Sequence, residues 1–210
     1  MVAASDILFN HETNVAPLGL IALNGAEELG QKINAYLVDW AHKGGYDVDT
    51  FLIACECPRF SSGDGKGLIK STIRGRDLFI LIDVGNYSCE YQMFDRMNVM
   101  SPDDHYQDLK RIIQAASGKA HRVNVIMPYL YESRQSKRIG RESLDCASAL
   151  QELTKMGVEN IITFDAHDSR VQNATPLHGF ETIQPSYQFI KALLKNVEGL
   201  HIDNDHFMII

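Results

Sequence analysis

An α/β fold, with a mostly parallel sheet flanked by helices, follows from three observations. Short aliphatic runs recur along the chain, helical stretches of about 10–15 residues separate them, and glycine or proline marks many of the joins. Leu18 to Leu23 predicts the first strand. Ala26 to His42 predicts a helix, because Leu29, Ile33, Leu37 and Trp40 recur at helical spacing. Asn24 is placed to cap that helix and Gly44-Gly45 to stop it. Thr50 to Cys57 and Leu68 to Thr72 predict two strands joined by the loop 58–67. Asp77 to Asp83, with its Leu-Phe-Ile-Leu-Ile run, predicts a buried strand. Residues 86–102 are polar with Met93, Met97 and Met100 interspersed, and are expected to be irregular. Pro102 then opens a helix to about Ser117, ended by Gly118. A strand is predicted at 122–127, a helix from Ser143 to Met156 ended by Gly157, and a strand at 160–164. After a polar loop come a helix from Ser186 to Val197 and a last strand at 206–210. Exposed polar residues are the usual terminus, so a chain stopping on Met208-Ile209-Ile210 is expected to be cut from a longer protein.

The chain has 210 residues, 45% of them hydrophobic and 22% charged, enough for one large domain with a sizeable core. Its net charge of −7 argues against a general nucleic-acid-binding surface. No apolar run approaches the ~20 residues needed to span a bilayer, and no charged-then-apolar leader opens the chain. Cys55, Cys57, Cys89 and Cys146 form no C-x-x-C, so reduced thiols in a cytoplasmic protein are expected. Cys55 and Cys57 are read as facing opposite sides of their run.

Two clusters stand out against the acidic background. The run Val123 to Met127 stops at Pro128, and Arg134, Lys137, Arg138 and Arg141 follow, with Tyr129, Tyr131 and Gln135 beside them. Fixed cations just past a strand suit a phosphorylated ligand, although a solvated charged loop has the same composition. The second run, Ile161 to Phe164, ends in Asp165-Ala166-His167-Asp168. In an extended segment Asp165 and His167 share a face and can hold a divalent metal or a phosphate. An Asp/Ser turn with a satisfied histidine is the plain alternative. There is no P-loop, and Gly63-Asp64-Gly65-Lys66-Gly67 joins two strands instead of opening a helix, so it is read as a β-turn.

Together the clusters carry a family resemblance. Val125-Ile126-Met127-Pro128-Tyr129-Leu130-Tyr131-Glu132-Ser133-Arg134-Gln135-Ser136-Lys137-Arg138 resembles the V-I-P-Y-F-x-Y-A-R-Q-D-R-K segment of ribose-phosphate pyrophosphokinases. Ile162 to Asp168 is similar to that family's L-T-V-D-L-H-A. Pro58 to Gly63 and Arg74 to Ile80 are similar to its R-F-x-D-G-E and V-R-G-x-D-V-F-I-I-Q. The order and spacing agree over roughly residues 55 to 200.

The resemblance implies a type I phosphoribosyltransferase-like fold, with residues 1–210 as the N-terminal domain and the second, ribose 5-phosphate-binding domain absent. In that family Mg-ATP gives its diphosphoryl group to the anomeric hydroxyl of ribose 5-phosphate. By the same resemblance, Arg134, Gln135, Ser136, Lys137, Arg138 and His167 bind ATP, and Phe60 packs near the adenine across a subunit contact. Asp165 and His167 hold Mg²⁺, and Arg138 and His167 act in catalysis. A homo-oligomer is implied. The sequence departs from the pattern at Ser62-Gly63-Asp64-Gly65, where the family has Asp-Gly-Glu, and at Ser136, where it has Asp. Residues 170–181 match poorly, with Glu181 as a weak further metal carboxylate. The expectation is an ATP/Mg-binding domain of a ribose-phosphate diphosphokinase, inactive in isolation. The second reading, which the altered residues at 62–65 and 136 favour, is a non-catalytic regulatory or assembly subunit with the same fold. A metal-dependent phosphohydrolase using Asp165, His167 and Asp168 is a third reading.

Overall fold

The structure, a computed structural model, describes residues 15–200, so the strand expected at 206–210 lies outside it. In chain order the elements are β1 (Leu18–Ala22), α1 (Glu27–Lys43), β2 (Cys55–Glu56), β3 (Leu68–Ile69), β4 (Asp77–Leu81), β5 (Glu90–Met93) and β6 (Arg96–Val99). Then come α2 (Pro102–Ala116), β7 (Arg122–Ile126), α3 (Asp145–Lys155), β8 (Val158–Phe164), a 3₁₀ turn (Ser169–Ala174), β9 (Gly179–Ile183) and α4 (Ser186–Asn196). Five of the strands form one parallel sheet in the order β1-β4-β7-β8-β9.

Alternation along the strands supplies two apolar faces. Ile21, Leu78, Ile80, Val125 and Ile161 pack with Leu109, Ile112 and Ile113 of α2 and Leu150 and Leu153 of α3. On the other face Leu20 and Leu81 pack with Ala26, and Ala22, Phe79, Ile126 and Ile33 of α1 adjoin them. The α1 helix comes close because its Gly30 lies over Ala22: a Cβ there would sit 2.5 Å from the Ala22 Cβ.

Four expectations are corrected. Asn24 does not cap α1. The cap position is Ala26 without a side-chain bond, and the Gly25 N–H donates to Glu27 Oε2 at 2.7 Å instead. The Thr50–Cys57 run is not one strand, because Leu52 bridges to Leu20 of β1 whereas Cys55 and Glu56 pair with β3, and one short run cannot serve both partners in one straight line. Residues 86–102 are not irregular throughout: β5 and β6 form an antiparallel hairpin, whose turn donates Phe94 N–H to Ser61 O at 2.7 Å. Further, β9 lies within the stretch read as a polar loop.

A buried polar ladder crosses the sheet. Asn124, fully buried, donates to Asp77 Oδ1 at 2.7 Å, and Asn160 donates to Asn124 Oδ1 at 2.6 Å. Arg122 closes it by a bidentate pair with Asp77. A second buried pair joins Arg59 to Asp108 of α2, with Arg111 on the same carboxylate. The motif Arg59-Phe60 thus contains one buried structural residue and one exposed ring.

Candidate functional site

Because β7 and β8 are neighbours in register, with Ile126 opposite Ile162, whatever follows each strand meets at the sheet's carboxyl edge. After β7 the chain turns through Pro128 into the basic loop. Tyr131 folds back onto α2 there: its ring stacks on Tyr106 at 4.3 Å and its hydroxyl donates to Asp103. Tyr129 stays half exposed. The Ser133 side chain is buried, and its Oγ accepts the His167 N–H at 3.1 Å, fastening the basic loop to the segment after β8.

That segment is not extended. Asp165 takes φ 44°, a left-handed conformation that aspartate tolerates better than most residues. Its N–H donates to Ile183 O, and the Ala166 N–H donates to Thr182 Oγ1, so β9 holds the turn. Simple alternation therefore does not describe how Asp165 and His167 sit. Both nevertheless line one cleft of about 290 Å³ together with Tyr129, Ser133, Arg134 and Phe164. The Arg134 guanidinium has no ion-pair partner among the described residues.

The remaining predicted residues take other places. Lys137 Nζ lies 3.6 Å from Asp168 Oδ2 at the cleft's flank. Asp168 also accepts two bonds from Arg170, at 2.9 and 2.7 Å, and that guanidinium holds its carboxyl well below the usual carboxylate range. Asp168 is thus engaged by two cations. Gln135 closes the basic loop, its Nε2 donating to Ser143 O at 2.6 Å. Ser136 is half-buried and Arg138 exposed, both outside the cleft lining. Phe60 is exposed, lies outside the cleft, and carries Lys66 Nζ 5.9 Å from its ring centroid. Gly63–Gly67 is the turn that sequence suggested, with Gly63 at φ 92° and an Arg59–Gly65 bridge. The contact that sequence reasoning missed is Ser133, which stands inside the quoted segment as a small neutral hydroxyl beside its cations.

Asp165 and His167 fit a Mg²⁺ site only in part. No group of three or more His, Cys, Asp or Glu able to hold a metal occurs among the described residues. A carboxylate beside an arginine offers one ligand, and Mg²⁺ typically keeps several waters and takes its other ligands from a substrate's phosphates.

The model for the N-terminal domain of ribose phosphate pyrophosphokinase matches residues 18–157. The chain belongs to the ribose-phosphate pyrophosphokinase family. It is 32% identical over 116 residues to ribose-phosphate pyrophosphokinase 1 of Schizosaccharomyces pombe, covering 54% of this chain and 25% of that protein. It is 26% identical over 158 residues to the ribose-phosphate pyrophosphokinase of Chlorobaculum tepidum, covering 74% of this chain and 41% of that one. Among solved structures, phosphoribosylpyrophosphate synthetase from Mycobacterium smegmatis superposes with a TM-score of 0.65 at 18% identity, over 86% of this chain and 52% of that one. The fold is therefore type I phosphoribosyltransferase-like, as the sequence resemblance implied. The chain spans less than half the length of these curated relatives.

Proposed function

We propose that this domain binds Mg-ATP in the Arg134 cleft, as the nucleotide-holding half of a ribose-phosphate diphosphokinase. The observation that supports this best is the convergence of Arg134, Asp165 and His167 in one cleft, with Arg134 free of any ion pair among the described residues. An arginine fork matches two phosphate oxygens at once. The His167 ring offers a further nitrogen donor to the chain of phosphates, and Asp165 offers a carboxylate to the accompanying cation. When bound, Mg²⁺ neutralises charge on the phosphates. Lys137 and Arg138 lie further out, where they meet the far end of a triphosphate.

In the longer protein the diphosphoryl group goes to ribose 5-phosphate held by a second domain, and Arg138 and His167 assist at the transferring group. Phe60, outside the cleft of its own chain, serves a neighbouring copy in a homo-oligomer. A cytoplasmic enzyme is the corresponding location. The 210-residue chain alone makes no AMP from ATP and ribose 5-phosphate.

Calorimetric titration of Mg-ATP into the wild type and Arg134→Ala tests this. Loss of the bidentate charge-assisted bonds is expected to weaken binding at least about tenfold. Equal affinity overturns the assignment. A second reading, a regulatory or assembly subunit, is favoured by Ser62-Gly63-Asp64 and Ser136 in place of family carboxylates. Nucleotide binding without turnover in a chain extended past Ile210 distinguishes it.

A further inference from the structure

Asp168 follows His167 directly and stands at the outer flank of the Arg134 cleft. The family's L-T-V-D-L-H-A pattern ends in alanine where this chain places that carboxylate. Its side chain is only 12% exposed and both oxygens are engaged. Oδ1 accepts the Arg170 backbone N–H at 3.0 Å and Nε at 2.9 Å, and Oδ2 accepts Nη2 at 2.7 Å. The carboxylate is thereby fixed at the head of the 3₁₀ turn Ser169–Ala174.

The two cations over it face solvent: the Lys137 side chain is 64% exposed and that of Arg170 68%. They are held unequally. Arg170 is hydrogen-bonded through a fork, whereas Lys137 Nζ, at 3.6 Å from Oδ2, is beyond hydrogen-bond reach and is held by charge alone. The basic loop therefore presents one cation without an internal partner, Arg134, and one already neutralised, Lys137. An exposed pair of this kind is weak and exchanges partners readily. A phosphate group reaching Lys137 offers it charge-assisted hydrogen bonds that Asp168 does not make. When Lys137 leaves, Arg170 stays behind to satisfy the carboxylate.

We propose that Asp168 is a specificity-determining residue, an internal counter-ion that holds Lys137 back until a polyphosphate long enough to pass beyond the cleft draws it away. This rests on the nucleotide reading of the Arg134 cleft. Orthophosphate held at Arg134 ends within the cleft and gains nothing from Lys137, whereas the last phosphate of a triphosphate reaches it. Asp168 acts through Lys137, as a positioning residue, and contacts neither the phosphates nor the metal.

The test titrates the 210-residue chain with inorganic tripolyphosphate, Mg-ATP and orthophosphate, the last read by competition against tripolyphosphate. Asp168→Asn removes the charge and keeps a side-chain acceptor for the Arg170 N–H, since asparagine caps as well as aspartate. Thermal melts establish that the variant folds. It should bind tripolyphosphate and Mg-ATP about two- to fivefold tighter than the wild type, the scale of one exposed ion pair. Orthophosphate should be unchanged, and the gain should vanish when Lys137→Gln is added. Weaker Mg-ATP binding in Asp168→Asn makes Asp168 a metal ligand and overturns the proposal. So does unchanged affinity for all three probes, an equal gain for orthophosphate, or a gain that survives Lys137→Gln. In each of those cases the Arg134 cleft stands. If wild type and variant bind neither tripolyphosphate nor Mg-ATP, the nucleotide reading itself fails and takes this one with it.

Discussion

Cys55 and Cys57 show how neighbours reset a side chain's chemistry. Residues two apart along a strand share a face, and both thiols line one cavity beside β1, contrary to the opposite-face expectation. Cys55 donates to Ala22 O and Cys57 to Asp108 O. Burial pushes Cys57 up to about 12 and Cys55 up to about 11, from an ordinary 9.0. Glu27 adds to the rise at Cys55 and Asp108 to that at Cys57. A raised value in the folded state favours folding while both thiols stay protonated. That contribution is whole below pH 9 and is lost as pH climbs toward 11–12. Two outcomes follow. Iodoacetamide should label both thiols at pH 8.5 at least about tenfold slower in the folded protein than in urea, since each pKa unit is a tenfold loss of thiolate. The melting temperature should fall between pH 9 and 11, and less steeply in Cys55→Ala/Cys57→Ala. Labelling at equal rates in both states contradicts this account.

Among elements, periodicity decided what was legible. The strands β1, β4 and β7 are short, largely apolar runs buried on both faces, β8 carries the Ile161-Ile162 pair at its centre, and α1 to α4 repeat at helical spacing, so their residues announced them. The hairpin β5–β6 exposes most of its side chains, and β9 is a half-exposed edge strand. Neither needs an apolar run, so neither left one in the sequence. The site followed the same rule: Arg134, Asp165 and His167 were found because the ends of two recognisable strands meet. Asp168 looked like a candidate ligand because Arg170 and Lys137 become its partners only in three dimensions. At the edge, β9 depends on a close approach. A Cβ on Gly179 would stand 2.0 Å from Asn160 Oδ1, at the end of the Asp77–Asn124–Asn160 ladder. Gly179→Ala should therefore lower the urea midpoint by the equivalent of about 1–3 kcal/mol, the cost of overpacking or of unpairing a buried polar group. The denaturant slope should stay constant. A neutral substitution refutes this packing.

At the scale of the molecule, the parallel sheet sets the Arg134 cleft at its carboxyl edge, while the ladder and the Arg59–Asp108 pair fix the strands and α2 beneath it. No helix among the described residues is long and apolar enough to cross a membrane. One element stands apart. The α4 helix has no buried residue, and Tyr187, Phe189, Leu193 and Leu194 are all exposed. Its backbone bonds are thus held by little beyond the helix itself, and short isolated helices are marginal in water. In deuterium exchange of the 210-residue chain, amides of 189–196 should take up label first, through local opening, while those of β4 and β7 wait for global unfolding. Protection of α4 equal to that of β7 would show the helix to be tied down more firmly than its exposure implies. On this account the domain is a rigid sheet with one loosely tethered helix, able to melt and re-form without disturbing the carboxyl edge.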